Sequence, residues 1–217
     1  MPLQNRVDPF GDLHAVAARG LFTGNRGVIH DPGTKTLTGR RWTTKAWIVC
    51  ALAYKDQHRD VMGRNSPRGG AGWTELFFLD EVTALAAGHR PCFACRRDAA
   101  RSYAAHFARA FESPAPSVAT IDGQLHAERL AAGGPMVELD RQGLRHLPDG
   151  AMIFDGKADH AIRAGKALRW TFGGYDRAVE FDELGPDEMC IVTPATTLAV
   201  LSAGYQPVWH ESADGLA

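Results

Sequence analysis

The sequence predicts an α+β protein, with helices concentrated before about residue 132 and a small antiparallel β-rich half after them. Three observations lead there. Residues 91–111 are rich in alanine and arginine with no Gly or Pro after Pro91, a pattern that predicts a helix of about five turns. Beyond Pro135, the turn signals Pro148-Asp149-Gly150, Asp155-Gly156 and Ala164-Gly165 separate short runs such as 151–154 and 167–171, which predict strands. The charge also divides. Residues 1–110 carry 16 Lys+Arg against 9 Asp+Glu (+7), and residues 111–217 carry 8 against 16 (−8).

The remaining elements follow from local chemistry. Residues 47–54 form an apolar run that predicts a buried strand, and residues 63–72 are a Gly/Pro/Arg-rich loop. Residues 75–79 make a second apolar run. Asp80 then provides an N-cap for a helix through Ala87, closed by Gly88. Glu112-Ser113-Pro114-Ala115-Pro116-Ser117 ends the long helix. It divides a basic half, residues 1–112, from an acidic half, residues 118–217, unless the two form one continuous domain. A further helix is expected over 122–132, stopped by Gly133-Gly134. A last strand is expected over 189–192, then a helix from Thr193 to near Gly204.

A chain of 217 residues that is 45% hydrophobic buries a core without disulfides, and four cysteines are too few and too irregular for a secreted framework. The amino terminus lacks a signal-peptide apolar core, and no run approaches 18 uninterrupted apolar residues. Reduced thiols, a cytoplasmic location and no membrane partner are therefore expected. The net charge of −1 conceals the basic half, whose clustered Lys and Arg suit a polyanion such as DNA; mutual neutralisation of the halves is the other reading. Gly24, Asn25 and Gly27 permit a phosphate-binding turn flanked by Arg19 and Arg26. Arg96, Arg97 and Arg101 add basic character to the long helix. Trp73, after the basic loop, suits stacking on an unpaired base.

The densest chemistry lies at Pro91-Cys92-Phe93-Ala94-Cys95. Two thiolates at this spacing hold one metal ion, zinc being the best match, and a tetrahedral site needs two further ligands. A thioredoxin-like redox pair is the competing reading, but no βαβ pattern surrounds the motif. The stretch from Glu75 to Arg97, through Phe77-Phe78 and Ala87-Gly88-His89-Arg90-Pro91-Cys92, resembles the zinc-binding region of Ada-type DNA methylphosphotriester repair domains. Trp47-Ile48-Val49-Cys50 is similar to the segment supplying that family's first zinc cysteine. The resemblance covers about residues 43–98 and implies an Ada-like zinc-binding region with Cys50, Cys92 and Cys95 as ligands. It also implies action on DNA. The family's remaining cysteine falls at or near Tyr54, so the fourth ligand is left open among His58, His30, His89, His126 and Cys190, and methyl transfer is not carried over.

A second constellation is His126-Ala127-Glu128. Zinc-dependent nucleoside deaminases combine a His/Cys-x-Glu motif with Pro-Cys-x-x-Cys; here both pieces occur in the opposite order. Glu128 and His126 are thus the candidate catalytic residues, while contacts along one helix face are their plain structural reading. Together these features predict a zinc-containing DNA-binding protein that processes modified or damaged nucleotides as a hydrolase. The alternatives are a DNA-binding regulator with structural zinc and a deaminase-like enzyme.

Overall fold

The computed structural model describes residues 1–55, 59–185 and 189–216. Its first half contains β1 (Arg6–Val7), β2 (Leu13–His14), β3 (Phe22–Asn25), β4 (His30–Asp31), β5 (Thr36–Leu37), β6 (Ile48–Ala51), β7 (Leu76–Phe78) and β8 (Arg90–Pro91). Between β7 and β8 lies the helix α1 (Glu81–Ala86). After β8 come α2 (Arg97–Ala110) and α3 (Val118–Glu128). The chain then forms β9 (Val137–Glu138), α4 (Arg141–Leu144), β10 (Met152–Phe154), β11 (Asp159–Arg163), β12 (Lys166–Thr171), β13 (Gly174–Val179), β14 (Cys190–Ile191) and α5 (Ala195–Ser202).

Two six-stranded sheets organise these elements, beside a separate antiparallel pair of β4 with β5. The first has the order β2-β1-β7-β3-β6-β8 and is mixed, with β1 and β7 parallel and β6 and β8 parallel. The second has the order β13-β12-β11-β10-β14-β9 and is antiparallel throughout, as the alternating turns and short runs predict. The fold is therefore α+β. No helix among the described residues is long and apolar enough to cross a membrane.

Helix α1 is buried along its whole length and joins the layers. Val82 and Ala86 pack with Met152, Leu168 and Trp170 of the second sheet, whereas Ala84 and Ala87 pack with Val49 and Phe78 of the first. Leu85 meets Tyr103 and Phe107 of α2, Leu125 of α3 and Val200 of α5. Each of these cores draws on residues before residue 112, and two of them extend beyond residue 117.

The start of α1 carries two buried carboxylates. Asp80 caps the helix by accepting from the Thr83 amide and hydroxyl, and its other oxygen accepts from Tyr175 Oη at 2.8 Å and the His210 amide. Burial raises the Asp80 pKa, while these donors favour its ionised form. Glu81 accepts from Tyr205 Oη at 2.7 Å, the Val208 amide at 2.9 Å and Arg96 Nη2 at 2.8 Å. The carboxyl-terminal segment is thereby tied to the middle of the protein.

Several helix boundaries differ from the sequence expectation. The long helix begins at Arg97 rather than Pro91, because Pro91 belongs to β8 and the Cys92 amide donates to the Val49 carbonyl at 3.0 Å. The Arg96 amide then donates to Cys92 O, closing a turn before the helix starts. Helix α3 begins at Val118 rather than Asp122, since Ser117 caps it through the Thr120 amide at 3.0 Å. It ends at Glu128, and a 3-10 turn over Leu130–Ala132 leads to Gly133 in the left-handed region. The final strand and helix shorten to β14 and α5.

Glu81→Ala leaves the Arg96 guanidinium buried without its carboxylate, a change that costs about 3–5 kcal/mol when a buried pair is broken. Urea denaturation of the variant is expected to show a loss in that range. A loss below about 1 kcal/mol, the scale of an exposed pair, would contradict this assignment.

Candidate metal centre

The parallel pairing of β6 with β8 places Val49 opposite Pro91, so the next residues, Cys50 and Cys92, emerge side by side. The turn after β8 folds Cys95 back toward them. The three sulfurs all lie within 4.8 Å of one another. Tetrahedral coordination with metal–sulfur bonds of about 2.3 Å requires sulfurs about 3.8 Å apart, so this donor set fits a thiolate-bound metal ion. Cys50 and Cys95 are partly exposed and Cys92 is buried; none forms a disulfide.

The thiols share their protons unequally. Cys92 is drawn down to about 5, chiefly because the Cys50 thiol donates to it, with help from the Cys95 and Ala94 amides against the opposing effect of burial. Cys50 is pushed up by that same hydrogen bond and by burial. Burial also raises Cys95, and the neighbouring Cys92 charge adds to it. The Ala94 and Cys95 amides of the turn thus add to the Cys50 contact in favouring the Cys92 thiolate. A metal ion at the centre would take the place of the shared protons.

A buried ion pair holds each end of this turn. Before it, Arg90 meets Asp122 of α3 in a two-pronged contact at 2.8 and 2.9 Å. After it, Arg96 meets Glu81 of α1, and its guanidinium lies 4.2 Å from the centre of the Phe22 ring. The sequence reading did not identify Arg90, Asp122 or Glu81. Asp122 was visible only as a position on a short helix, and nothing local pairs it with a residue 32 positions earlier.

A cavity of about 420 Å³ opens directly onto the three cysteines. Asn25, Ile48 and Phe77 of the first sheet line it on one side, and Tyr54, Val61 and Trp73 on another. Trp73 is 42% exposed, and the Arg59 guanidinium stacks 3.7 Å from its ring centre. Arg59 is fixed in turn by Glu75 at 2.6 Å, whose second oxygen accepts from the Met62 amide. Trp73 was expected as an aromatic contact. Arg59 and Glu75 were not, since only the fold brings them into the wall of the cavity that the cysteines line.

Other candidates are placed elsewhere or differently employed. Arg26 is buried against Trp47 and donates to Gly11 O and His89 Nε2, so it flanks no exposed phosphate turn at residues 24–27. Arg96 is used in the ion pair with Glu81. Arg19, Arg97 and Arg101 are exposed. Glu128 does not line the cavity; both its oxygens hold Thr196 at the start of α5, through the amide and the hydroxyl at 2.7 Å each. His126 packs edge-on against Trp42 and Trp47. The long α2 carries the chain away from the cysteines, and α3 returns against α5.

Among the described residues, the three cysteines gather no fourth ligand. His89 lies behind the sheet between Trp47 and Phe78, His30 contacts Thr74, and Cys190 belongs to the second sheet. His58 lies outside the described residues. Comparison with protein families, characterised proteins and solved structures finds no match for this chain.

Metal binding displaces protons from these thiols, so affinity should fall on acidification by about tenfold per pH unit for each proton displaced. Chelator competition at pH 6 and pH 8 measures this for the wild-type chain. Cys50→Ser, Cys92→Ser and Cys95→Ser are each expected to abolish stoichiometric retention. Serine variants that keep the metal, or affinity independent of pH, would contradict the assignment.

Proposed function

We propose that this protein binds zinc through Cys50, Cys92 and Cys95 and recognises a modified or unstacked nucleotide of DNA in the cavity beside them. The observation that carries this reading is the Trp73–Arg59 stack in the wall of the cavity that the three cysteines also line. A flat base entering there would find an aromatic face, the Tyr54 ring and an apolar sheet floor; stacking of this kind is tolerant of base identity. Thiolate donors suit zinc, and the resemblance to the Ada-type zinc region adds the expectation of a DNA substrate.

The charge distribution supports a polyanionic partner. Among the described residues, Arg90–Asp122 is the one ion pair joining a base of residues 1–110 to an acid of residues 111–217. The excess positive charge of the first part is therefore not cancelled by ion pairing with the second. Arg97 and Arg101, exposed one turn apart on α2, follow directly from the cysteine turn and would meet the phosphate backbone.

Recognition with a structural metal, as in a regulator, is the second reading. It is favoured by the state of Glu75, the one carboxylate among the described residues lining the cavity: both its oxygens are already engaged. With Glu128 capping α5, neither carboxylate is free for hydrolysis in the manner of a deaminase, and we do not carry that reading forward.

Zinc-loaded protein is expected to bind single-stranded oligonucleotides, with affinity that declines as salt rises. Trp73→Ala should cost about 1–3 kcal/mol, the worth of one stacked base. Arg97→Ala and Arg101→Ala should each lower the salt slope by about one per lost contact, as read by fluorescence anisotropy. Absence of binding at low salt, or full affinity in Trp73→Ala, would overturn the proposal.

A further inference from the structure

A second cavity, of about 250 Å³, lies among the amino-terminal residues and the segment after β5. Its lining includes Gln4, Gly11, Asp12, Arg26, Arg40 and Arg41. Arg26 is 1% exposed and forms the inner wall, whereas Arg40 and Arg41 are exposed and form the mouth. Three arginines against one aspartate leave a formal charge of +2 around the space.

Arg26 is the unusual member. A buried guanidinium normally meets a carboxylate, yet its hydrogen-bond partners among the described residues are the Gly11 carbonyl and the neutral His89 ring, and Nη2 has none there. Its guanidinium lies 4.0 Å from the Trp47 ring, a ring it shares with Arg129 at 4.5 Å. Two guanidiniums on one indole repel each other, and burial together with Arg129 and Arg41 brings Arg26 down to about 9. Arg129 also leaves Nη2 without a partner among the described residues, but it lines neither of the two cavities.

The backbone is shaped to bring Arg26 to this space. Gly11 has φ +88°, and a methyl group there would lie 3.1 Å from Arg26 Nη2 and 2.9 Å from Ala131 Cβ. Glycine thus lets the loop pack directly against the guanidinium, whose Nη2 is closed to solvent. At the mouth, Arg41 pairs with Asp12, with both side chains 55% exposed, so the contact is weak enough to exchange for a better anion.

We propose that this cavity is a binding site for a phosphate group, with Arg26 as the inner positive charge and Arg40 and Arg41 as the donors at its mouth. A tetrahedral oxyanion supplies several acceptors to planar guanidinium forks and offsets the buried charge that the protein leaves unpaired. The site is separate from the cysteine cavity and does not rest on the nucleotide reading proposed for it.

The test uses the full chain with two probes, inorganic phosphate and a short single-stranded oligonucleotide, measured by calorimetry at fixed ionic strength. The double variant Arg40→Gln/Arg41→Gln alters only exposed side chains and should weaken binding by at least about tenfold, as loss of charge-assisted bonds implies. Arg64→Gln/Arg68→Gln removes the same charge from another exposed segment and should leave phosphate binding unchanged. Inorganic phosphate binding that is lost only in the first variant supports a site for free phosphate or a small ester. Oligonucleotide binding alone, lost only in that variant, supports a site for the nucleic-acid backbone. No binding of either probe, or equal effects of the two double variants, would overturn the proposal. Trp73→Ala should not change phosphate affinity, which separates this outcome from failure of the nucleotide reading.

Discussion

Cys92 and Cys95 sit in a turn with a buried ion pair at each end. Arg90 ties its entry to Asp122 on α3, and Arg96 ties its exit to Glu81 on α1. Neither pair is cheap, because each guanidinium and carboxylate has left water; only the two-pronged geometry at Arg90 and the added tyrosine and amide donors at Glu81 make the arrangement tolerable. The consequence is positional. A turn held at both ends by helices cannot drift from Cys50 on the neighbouring strand, so the three sulfurs converge because the rest of the fold converges. Helix α1 in turn is fixed between the two sheets, and this links the metal centre to the antiparallel half that otherwise lies apart from it in sequence.

The same bracket explains why arginine in this chain has two distinct uses. Arg90, Arg96, Arg26 and Arg129 are interior residues that hold carboxylates, carbonyls and indole faces. Arg19, Arg97 and Arg101 face solvent, where a phosphate backbone could reach them. Gly88 shows how closely the interior set is fitted: at φ +78° it has no side chain, and a methyl group there would lie 2.3 Å from Arg129 Cγ. The basic balance of residues 1–110 is therefore partly an internal scaffold, and its exposed remainder is smaller than the count alone implies.

Much of the local structure was legible from residue chemistry. Asp80 and Gly88 delimit α1 as their capping properties require, and the glycine-marked turns after residue 135 do separate antiparallel strands. The gathering of Cys50 with Cys92 and Cys95 was available from a resemblance spanning 42 residues of sequence between the first pair. What was not legible was long-range pairing. Nothing near Glu128 announces Thr196, 68 residues on, so a capping carboxylate looked like a catalytic one. Arg96 beside Arg97 looked like a basic patch, although Glu81 neutralises one and not the other. Proline and cysteine pairing with β6 likewise overrode the helical propensity of residues 91–96.

Zinc K-edge X-ray absorption of the purified chain loaded with one equivalent of zinc tests the central claim most directly, because it counts the sulfurs around the metal. Three thiolates from this chain at about 2.3 Å are predicted, with the remaining coordination supplied by lighter donors, and with that three-sulfur shell lost in Cys50→Ser. A first shell lacking sulfur, or a spectrum unchanged by Cys50→Ser, would contradict a metal centre built by strand β6 and the turn after β8.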